Sequence, residues 1–294
     1  MVSVVVIGLG SMGFGMATSL IRAGHMVHGF DIDDSTARRF RDAGGAEGKF
    51  EDVLPKCNIA LLVVVNAQQT ETVLFGENGL APLLPQNALV ISSATVAPAF
   101  ARSIEERLAA LGVAYLDAPI SGGAAKAAEG ALTVMASGSE NAFAAAQPAL
   151  DAMAQTVFRL GDKAGPASAM KAVNQMLAGV HIAAAAEAIT FGMTQGVEPA
   201  QCVEVISQCA GSSWMFENRG PHIVEGDYTP RSAVEIFVKD LGIVGDIARE
   251  ARFSAPLTAA ALQQFLAASG MGLGREDDAA VAKVYARNAR LDLP

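Results

Sequence analysis

The sequence predicts an α/β chain: a doubly wound parallel sheet followed by an all-α C-terminal domain, the two joined by a long helix. Three observations carry this. Up to about Arg159, short β-branched runs alternate with helical patterns, as in parallel strands linked by crossover helices. Several of those runs, such as Ile59-Ala-Leu-Leu-Val-Val-Val65, are apolar on both faces and so require helices on both sides. After Gly161 no convincing strand follows, and helical segments punctuated by Gly, Pro and Ser take over.

Taken in order, the predicted strands are Val2 to Ile7, Met26 to Asp31, Ile59 to Val65, Ala88 to Ser92, Val113 to Asp117, Leu132 to Ala136 and Thr156 to Phe158. Gly165-Pro166 opens a long helix running to about Gly196, and Pro199 to Cys209, Ser232 to Arg252 and Ala255 to Ala268 read as further helices. The expected domains are residues 1–163 and 164–294, with the helix at about 165–195 as the bridge. Met176 to Met193 is apolar enough to suggest a membrane span, but it is alanine-rich and interrupted by His181 and Glu187, so a buried helix is expected.

Composition narrows the function. Of the 294 residues, 51% are hydrophobic and 17% charged, a balance that suits a compact chain and argues against disorder. A formal net charge of -9 disfavours nucleic acid and anionic membranes, which select a basic face. Cys57, Cys202 and Cys209 lie in no paired spacing, so neither a disulfide framework nor a metal site is expected, and all three read as buried small hydrophobes of a reducing cytoplasm. His25, His28, His181 and His222 are scattered without ligand spacing and read as satisfied helix or loop residues. Nothing at the N-terminus resembles a secretion signal.

The first strand ends in Gly8-Leu9-Gly10-Ser11-Met12-Gly13 and runs directly into an amphipathic helix. Gly8 permits the tight turn, Gly10 lets a pyrophosphate approach the backbone, and Gly13 lets helix and strand pack closely. A second strand then ends in an acid, Asp31, 18 residues beyond Gly13, placed to accept the adenosine ribose hydroxyls. With Asp33 and Asp34 beside it, a 2′-phosphate is repelled and NAD is favoured over NADP; Arg38 and Arg39 read as a solvated face. The strand ends at Val65-Asn66 and Ser92-Ser93-Ala94-Thr95 also face such a ligand, Thr95 having helix capping before Pro98 as its competing role. This is a Rossmann-type dinucleotide site.

Two later segments carry chemistry. Asp117-Ala118-Pro119-Ile120-Ser121-Gly122-Gly123 follows a strand, and the amides of Gly122 and Gly123 with the hydroxyl of Ser121 form a carboxylate cradle. On the bridging helix Lys171 and Asn174 share one face. A lysine near a helix start and partly buried is expected to have a lowered pKa, suiting it to take a proton from a hydroxyl as hydride leaves the same carbon. Asn174 would hold the substrate oxygen in line. Trp214 and Phe216 read as core, with closure over a substrate as the alternative.

The GLGxMG opening, the DAPxSGG loop, the KxxN helix and Phe237-Val238-Lys239-Asp240-Leu241 occur in the order of the β-hydroxyacid dehydrogenase family, and the chain resembles that family over nearly its whole length. The resemblance implies a Rossmann-type NAD-binding domain, a helical C-terminal domain that makes subunit contacts, and Lys171 as catalytic acid/base with Asn174 beside it. It also implies Ser121, Gly122 and Gly123 at the substrate carboxylate and Lys239 near cofactor and substrate. His181 to Ala188, Ser212 to Arg219 and Gly226 to Pro230 resemble the L-threonate dehydrogenases of that family, which oxidise the C2 hydroxyl of a four-carbon sugar acid. Gln175 departs from the family, standing where a second asparagine is common.

The expectation is therefore NAD-dependent oxidation of a small hydroxy acid in the cytoplasm by a homodimer or homotetramer. L-Threonate is the first substrate, and 3-hydroxyisobutyrate dehydrogenase or tartronate semialdehyde reductase chemistry is the alternative. A non-catalytic NAD-binding sensor is the rival from another class; it needs no lysine on the bridging helix.

Overall fold

A computed structural model describes residues 1–294, which divide into two compact units, Met1–Lys171 and Ala172–Pro294. The first unit runs β1 (Ser3–Ile7), α1 (Ser11–Arg22), β2 (Met26–Phe30), α2 (Asp34–Asp42), α3 (Phe50–Val53), β3 (Ile59–Leu62), α4 (Ala67–Phe75), β4 (Leu89–Ser92), α5 (Pro98–Ala109) and β5 (Ala114–Asp117). It continues with β6 (Ile120–Ser121), α6 (Gly123–Glu129), β7 (Leu132–Ala136), α7 (Glu140–Met153), β8 (Ala154–Arg159) and the first turns of α8 (Pro166–Thr194). The second unit holds the rest of α8, then α9 (Pro199–Ile206), α10 (Trp214–Glu225), α11 (Val234–Glu250), α12 (Pro256–Ala268) and α13 (Ala282–Ala289).

The five-stranded sheet is parallel in the order β2-β1-β3-β4-β5. Alternate residues of β1 point to opposite faces: Val4 and Val6 join Met16, Leu20 and Ile91 on one side, Val5 and Ile7 join Leu74, Val90 and Ile104 on the other. Both faces are covered, as the apolar runs demand. Each fully buried Val, Ile or Leu contributes about 1.5–3 kcal/mol of hydrophobic stabilisation.

The sheet is not a single one, however. β6, β7 and β8 form a separate three-stranded sheet, because the two-residue β6, unforeseen in the sequence, pairs antiparallel with β7 at Ile120↔Val134 and Ser121↔Thr133. β7 and β8 are parallel across α7. The third strand also ends early, at Leu62. Val65 there donates its amide to Gln69 Oε1 at 2.8 Å, turning the chain into α4.

In the second unit Ile182, Ile189, Phe216, Leu241 and Val281 close around the stacked rings of Phe237 and Phe265, 5.2 Å apart. Gly179 on α8 lets α11 approach closely; a β-carbon there would meet Leu241 at 2.8 Å. Helix α8 is long and apolar enough to cross a membrane, yet its start is bonded into the first unit and its core face packs in the second. The expectation of a buried helix holds for that face only: Met170, Val173, Leu177 and Phe191 are exposed along the other.

Candidate active site

Strand register builds the site's edge. Phe30, Ile7, Leu62, Ser92 and Asp117 lie in one row across the five strands, so the residues that follow them emerge together at the carboxyl ends. Strand order reverses beside β1, making its carboxyl end the crevice where ligands bind in such sheets.

Gly8 occupies that end with φ +92°, and a β-carbon there would sit 2.4 Å from Val63 O. A β-carbon on Gly13 would lie 1.9 Å from Gly8 O, so the turn closes only with glycine at both positions. Gly10 caps α1 with nothing within 4 Å of its β-carbon position and no side-chain cap, leaving the amides of Ser11, Met12 and Gly13 at an uncovered helix start. Asp31 follows β2 and accepts the Leu9 amide at 2.6 Å and the Asp33 amide at 2.9 Å, which aims its carboxylate at the glycine loop. Bonds from Thr36 and Ser35 hold the exposed Asp33 carboxyl down to about 2, so negative charge persists beside Asp31. Ser93, one residue past the β4 row, is buried with its hydroxyl unpartnered. An open glycine cradle, an acid at the second strand and an orphaned hydroxyl on the same edge fit a dinucleotide.

Other edge residues divide. Asn66 Oδ1 caps α4 by accepting the Gln69 amide at 2.8 Å, which leaves its NH2 group as the donor for a ligand. Thr95 does not cap α5; Ala97 stands there without a side-chain bond, so the competing role falls away. Arg39 lies over the Phe14 ring at 4.6 Å, on the exposed face expected of it.

The candidate chemical centre is held together by one acid. Asp117 closes β5 and is buried; its Oδ2 accepts the amides of Gly165 and Ser168, each at 3.0 Å, and its Oδ1 accepts the Ser168 hydroxyl at 2.8 Å. Ser137, paired with Asp117 through both backbone bonds, takes the Ala167 amide at 3.0 Å. The start of α8 is thereby fully capped. Burial pushes the Asp117 carboxyl above the usual range, against the bonds from Ser168, Gly165 and Ser137. One turn later Lys171, 8% exposed, donates from Nζ to Ile120 O at 2.8 Å. Ile120 precedes Ser121-Gly122-Gly123, so the amine and the expected carboxylate cradle are brought together. Gly122 and Gly123 have φ +137° and +78° and start α6.

In the second unit Asn174 and Lys239 converge on a shared pair: Asn174 bonds Gln175, Gln175 bonds Asp240, and Lys239 forms an ion pair with Asp240. Phe216 is core, whereas Trp214, at the start of α10, is 62% exposed. His25 bonds at Pro148 O and His222 at Asp277, 2.8 Å, but His28 lies buried on β2 with Nδ1 unpartnered, correcting the expectation of satisfied helix or loop residues. Cys57 is buried, but Cys202 is only partly so and Cys209 is exposed, correcting the expectation of three buried thiols. Ser137, Ser168, the Ile120 carbonyl and the Gln175–Asp240 contact were not foreseen; the one available signal was the short side-chain donors that flank Lys171 and Asp117.

The chain matches two family models: the NAD binding domain of 6-phosphogluconate dehydrogenase over residues 3–161, and the NAD-binding domain of NADP-dependent 3-hydroxyisobutyrate dehydrogenase over residues 165–285. It is 54% identical to an L-threonate dehydrogenase of Cupriavidus necator, covering 95% of each chain. Against the L-threonate dehydrogenase of Escherichia coli K12 identity is 46%, over 95% of this chain and 93% of the other. The crystal structure of a 3-hydroxyisobutyrate dehydrogenase from Salmonella typhimurium superposes with a TM-score of 0.91 at 46% identity, over 97% of this chain and 100% of that one. With its glycine cradle at the sheet's reversal point and matches of this extent, the chain is an NAD-binding dehydrogenase and belongs to the β-hydroxyacid dehydrogenase family.

Proposed function

We propose that the protein oxidises L-threonate at C2 to the 2-oxo acid with NAD, Lys171 acting as general base and, in reduction, as general acid. The observation that carries this is the 2.8 Å bond from Lys171 Nζ to Ile120 O, which holds the amine at the turn leading into Ser121. The substrate is taken from the L-threonate dehydrogenases that the chain resembles at 46–54% identity.

In this reading Ser121 and the amides of Gly122 and Gly123 grip the substrate carboxylate, and Asn174 holds the reacting oxygen. Gly8 to Gly13, Asp31, Val65, Asn66 and Thr95 hold the cofactor, with Lys239 beside it. The bound nicotinamide supplies the hydride acceptor for the C2 hydrogen. The neutral amine of Lys171 takes the C2 hydroxyl proton as the C–O double bond forms, and the ammonium returns that proton in the reverse direction. Bond and charge changes then balance without a metal.

The exposed apolar stripe of α8, with Phe191 65% exposed, supports a homodimer or homotetramer. The test is a panel: NADH formation with L-threonate, 3-hydroxyisobutyrate, glycerate and L-serine. A preference for L-threonate in kcat/KM is expected; a preference for 3-hydroxyisobutyrate would replace the substrate assignment, and no turnover with any acid would leave the sensor reading in its place.

A further inference from the structure

The second unit contains a polar chain whose two inner members, Gln175 and Asp240, have no role in the reaction above. Asn174 Nδ2 donates to Gln175 Oε1 at 2.8 Å, and Gln175 Nε2 donates to Asp240 Oδ2 at 2.5 Å. Lys239 Nζ forms an ion pair with the other oxygen, Asp240 Oδ1, at 2.6 Å. Gln175 is 7% exposed and Asp240 2%, so water cannot readily substitute for either partner.

The direction of this chain is forced. A carboxylate only accepts, so Gln175 must turn its NH2 group to Asp240 and its carbonyl away. That carbonyl only accepts as well, so Asn174 must turn its NH2 group to Gln175. Asn174 Oδ1, an acceptor, is then turned away from Gln175, with the second N–H of Nδ2 as the donor left beside it. A relay of two amides thus carries the polarity of one buried acid to a residue three positions from Lys171.

We propose that Gln175 is a positioning residue: anchored on Asp240, it locks the orientation of the Asn174 amide, so that Oδ1 accepts a hydrogen bond from a substrate hydroxyl other than the one whose proton passes to Lys171, while the second N–H of Nδ2 holds the reacting oxygen. The class of ligand this selects is a hydroxy acid with an O–H donor at that point. The inference rests on reading Asn174 as a substrate contact. Asparagine at position 175 would be one methylene shorter and could not span to Asp240 from the same backbone, so the departure from the family pattern and the relay are one feature.

The experiment compares Gln175→Leu, Asn174→Ala and the double variant, with thermal melting and NAD affinity as controls. Gln175→Leu removes the relay at similar volume and should lower kcat/KM for L-threonate roughly ten- to a hundredfold, the cost of a misaligned contact. The double variant should be no worse than Asn174→Ala alone, because the relay acts only through that amide. In nitrogen–proton spectra, the side-chain amide signal lost in Asn174→Ala should move in Gln175→Leu.

Gln175→Glu gives a readout that depends on proton chemistry and not on packing. The introduced carboxyl faces Asp240, and two carboxylates so close share one proton. On acidification the protonated form donates to Asp240 and offers its carbonyl to Asn174, so activity relative to wild type should rise as pH falls. Additive losses in the double variant, or wild-type kinetics in Gln175→Leu and a flat pH ratio in Gln175→Glu, overturn the proposal. Should Gln175→Leu fail to fold, the pH ratio of Gln175→Glu decides it. Wild-type kinetics in Asn174→Ala would instead overturn the underlying assignment of Asn174.

Discussion

Asp117 accepts both the amide and the hydroxyl of Ser168, at 3.0 Å and 2.8 Å, so the acid that closes β5 also begins the helix that carries Lys171. Because Lys171 in turn donates to Ile120 O, the segment from Asp117 to Ile120 holds α8 at its cap and at the amine. Position and chemistry share one short stretch of chain.

Replacing Asp117 with Ala should therefore cost both stability and rate. It strands the amides of Gly165 and Ser168, at about 1–3 kcal/mol for each buried donor left unmade. Displacing Lys171 by an ångström should lower kcat roughly a hundredfold. Asp117→Asn keeps one acceptor and relieves the burial of a charge that already holds the Asp117 carboxyl above its usual range, so its melting temperature should fall between Asp117→Ala and wild type.

Lys171→Ala tests the mechanism itself. Loss of the proton acceptor should reduce turnover by roughly 10²-fold to 10⁴-fold while NAD affinity is retained. Unchanged turnover in steady-state assays would exclude Lys171 as the base.

The two glycines of the cradle should fail differently. Gly13→Ala drives a methyl group to 1.9 Å from Gly8 O and should destabilise the fold by about 1–3 kcal/mol or more. Gly10→Ala meets open space, so its melting temperature should stay near wild type while its NAD dissociation constant rises. Calorimetric melting beside NAD titration separates the two effects.

Cofactor choice should follow Asp31. Asp31→Ser removes the carboxylate that accepts the Leu9 amide, and the ratio of kcat/KM for NAD over NADP should fall at least about tenfold, equivalent to roughly 1.4 kcal/mol. Asp33 stays ionised beside it and should keep the ratio from inverting.

The second unit should be acid-sensitive through Asp277. Burial raises its carboxyl, but bonds from His222, the Arg231 amide and the Ala279 amide, with the charge of Arg219, outweigh this and hold it below the usual 3.8. A depressed acid stabilises the fold above its unfolded pKa and loses that contribution as pH falls through the folded value. Wild type should thus lose more stability than Asp277→Asn between neutral pH and about pH 3, a difference measured by denaturant melts. Burial raises its neighbour Asp278, with the Asp277 charge adding to the rise, so Asp278 titrates with the opposite sign and the difference between the two proteins is the net of both groups.

Much of the candidate site was legible in contiguous stretches. The glycine loop, Asp31 and the Ser121-Gly122-Gly123 turn depend on neighbours a few residues away, and strand and helix periodicities located them to within a residue or two. Strands β7 and β8 were legible, but their separation into a second sheet was not, because the two-residue strand Ile120-Ser121 that completes it has no periodicity to read. Nor was the true function of Asp117 as the anchor of α8, since its partners lie 48 and 51 residues along the chain.

What the residues determined by themselves was local: which segments are doubly apolar and must be sandwiched, where glycine alone permits a turn, and which lysine has an asparagine on its own helix face. What only the tertiary structure decided was which distant groups became partners, Lys171 with Ile120 across 51 residues and Gln175 with Asp240 across 65. The reason is physical. A backbone conformation is chosen by sterics and hydrogen bonds within a few residues, whereas a buried polar group takes whichever partner the packed elements bring within about 3 Å, and that is settled only when the whole core closes.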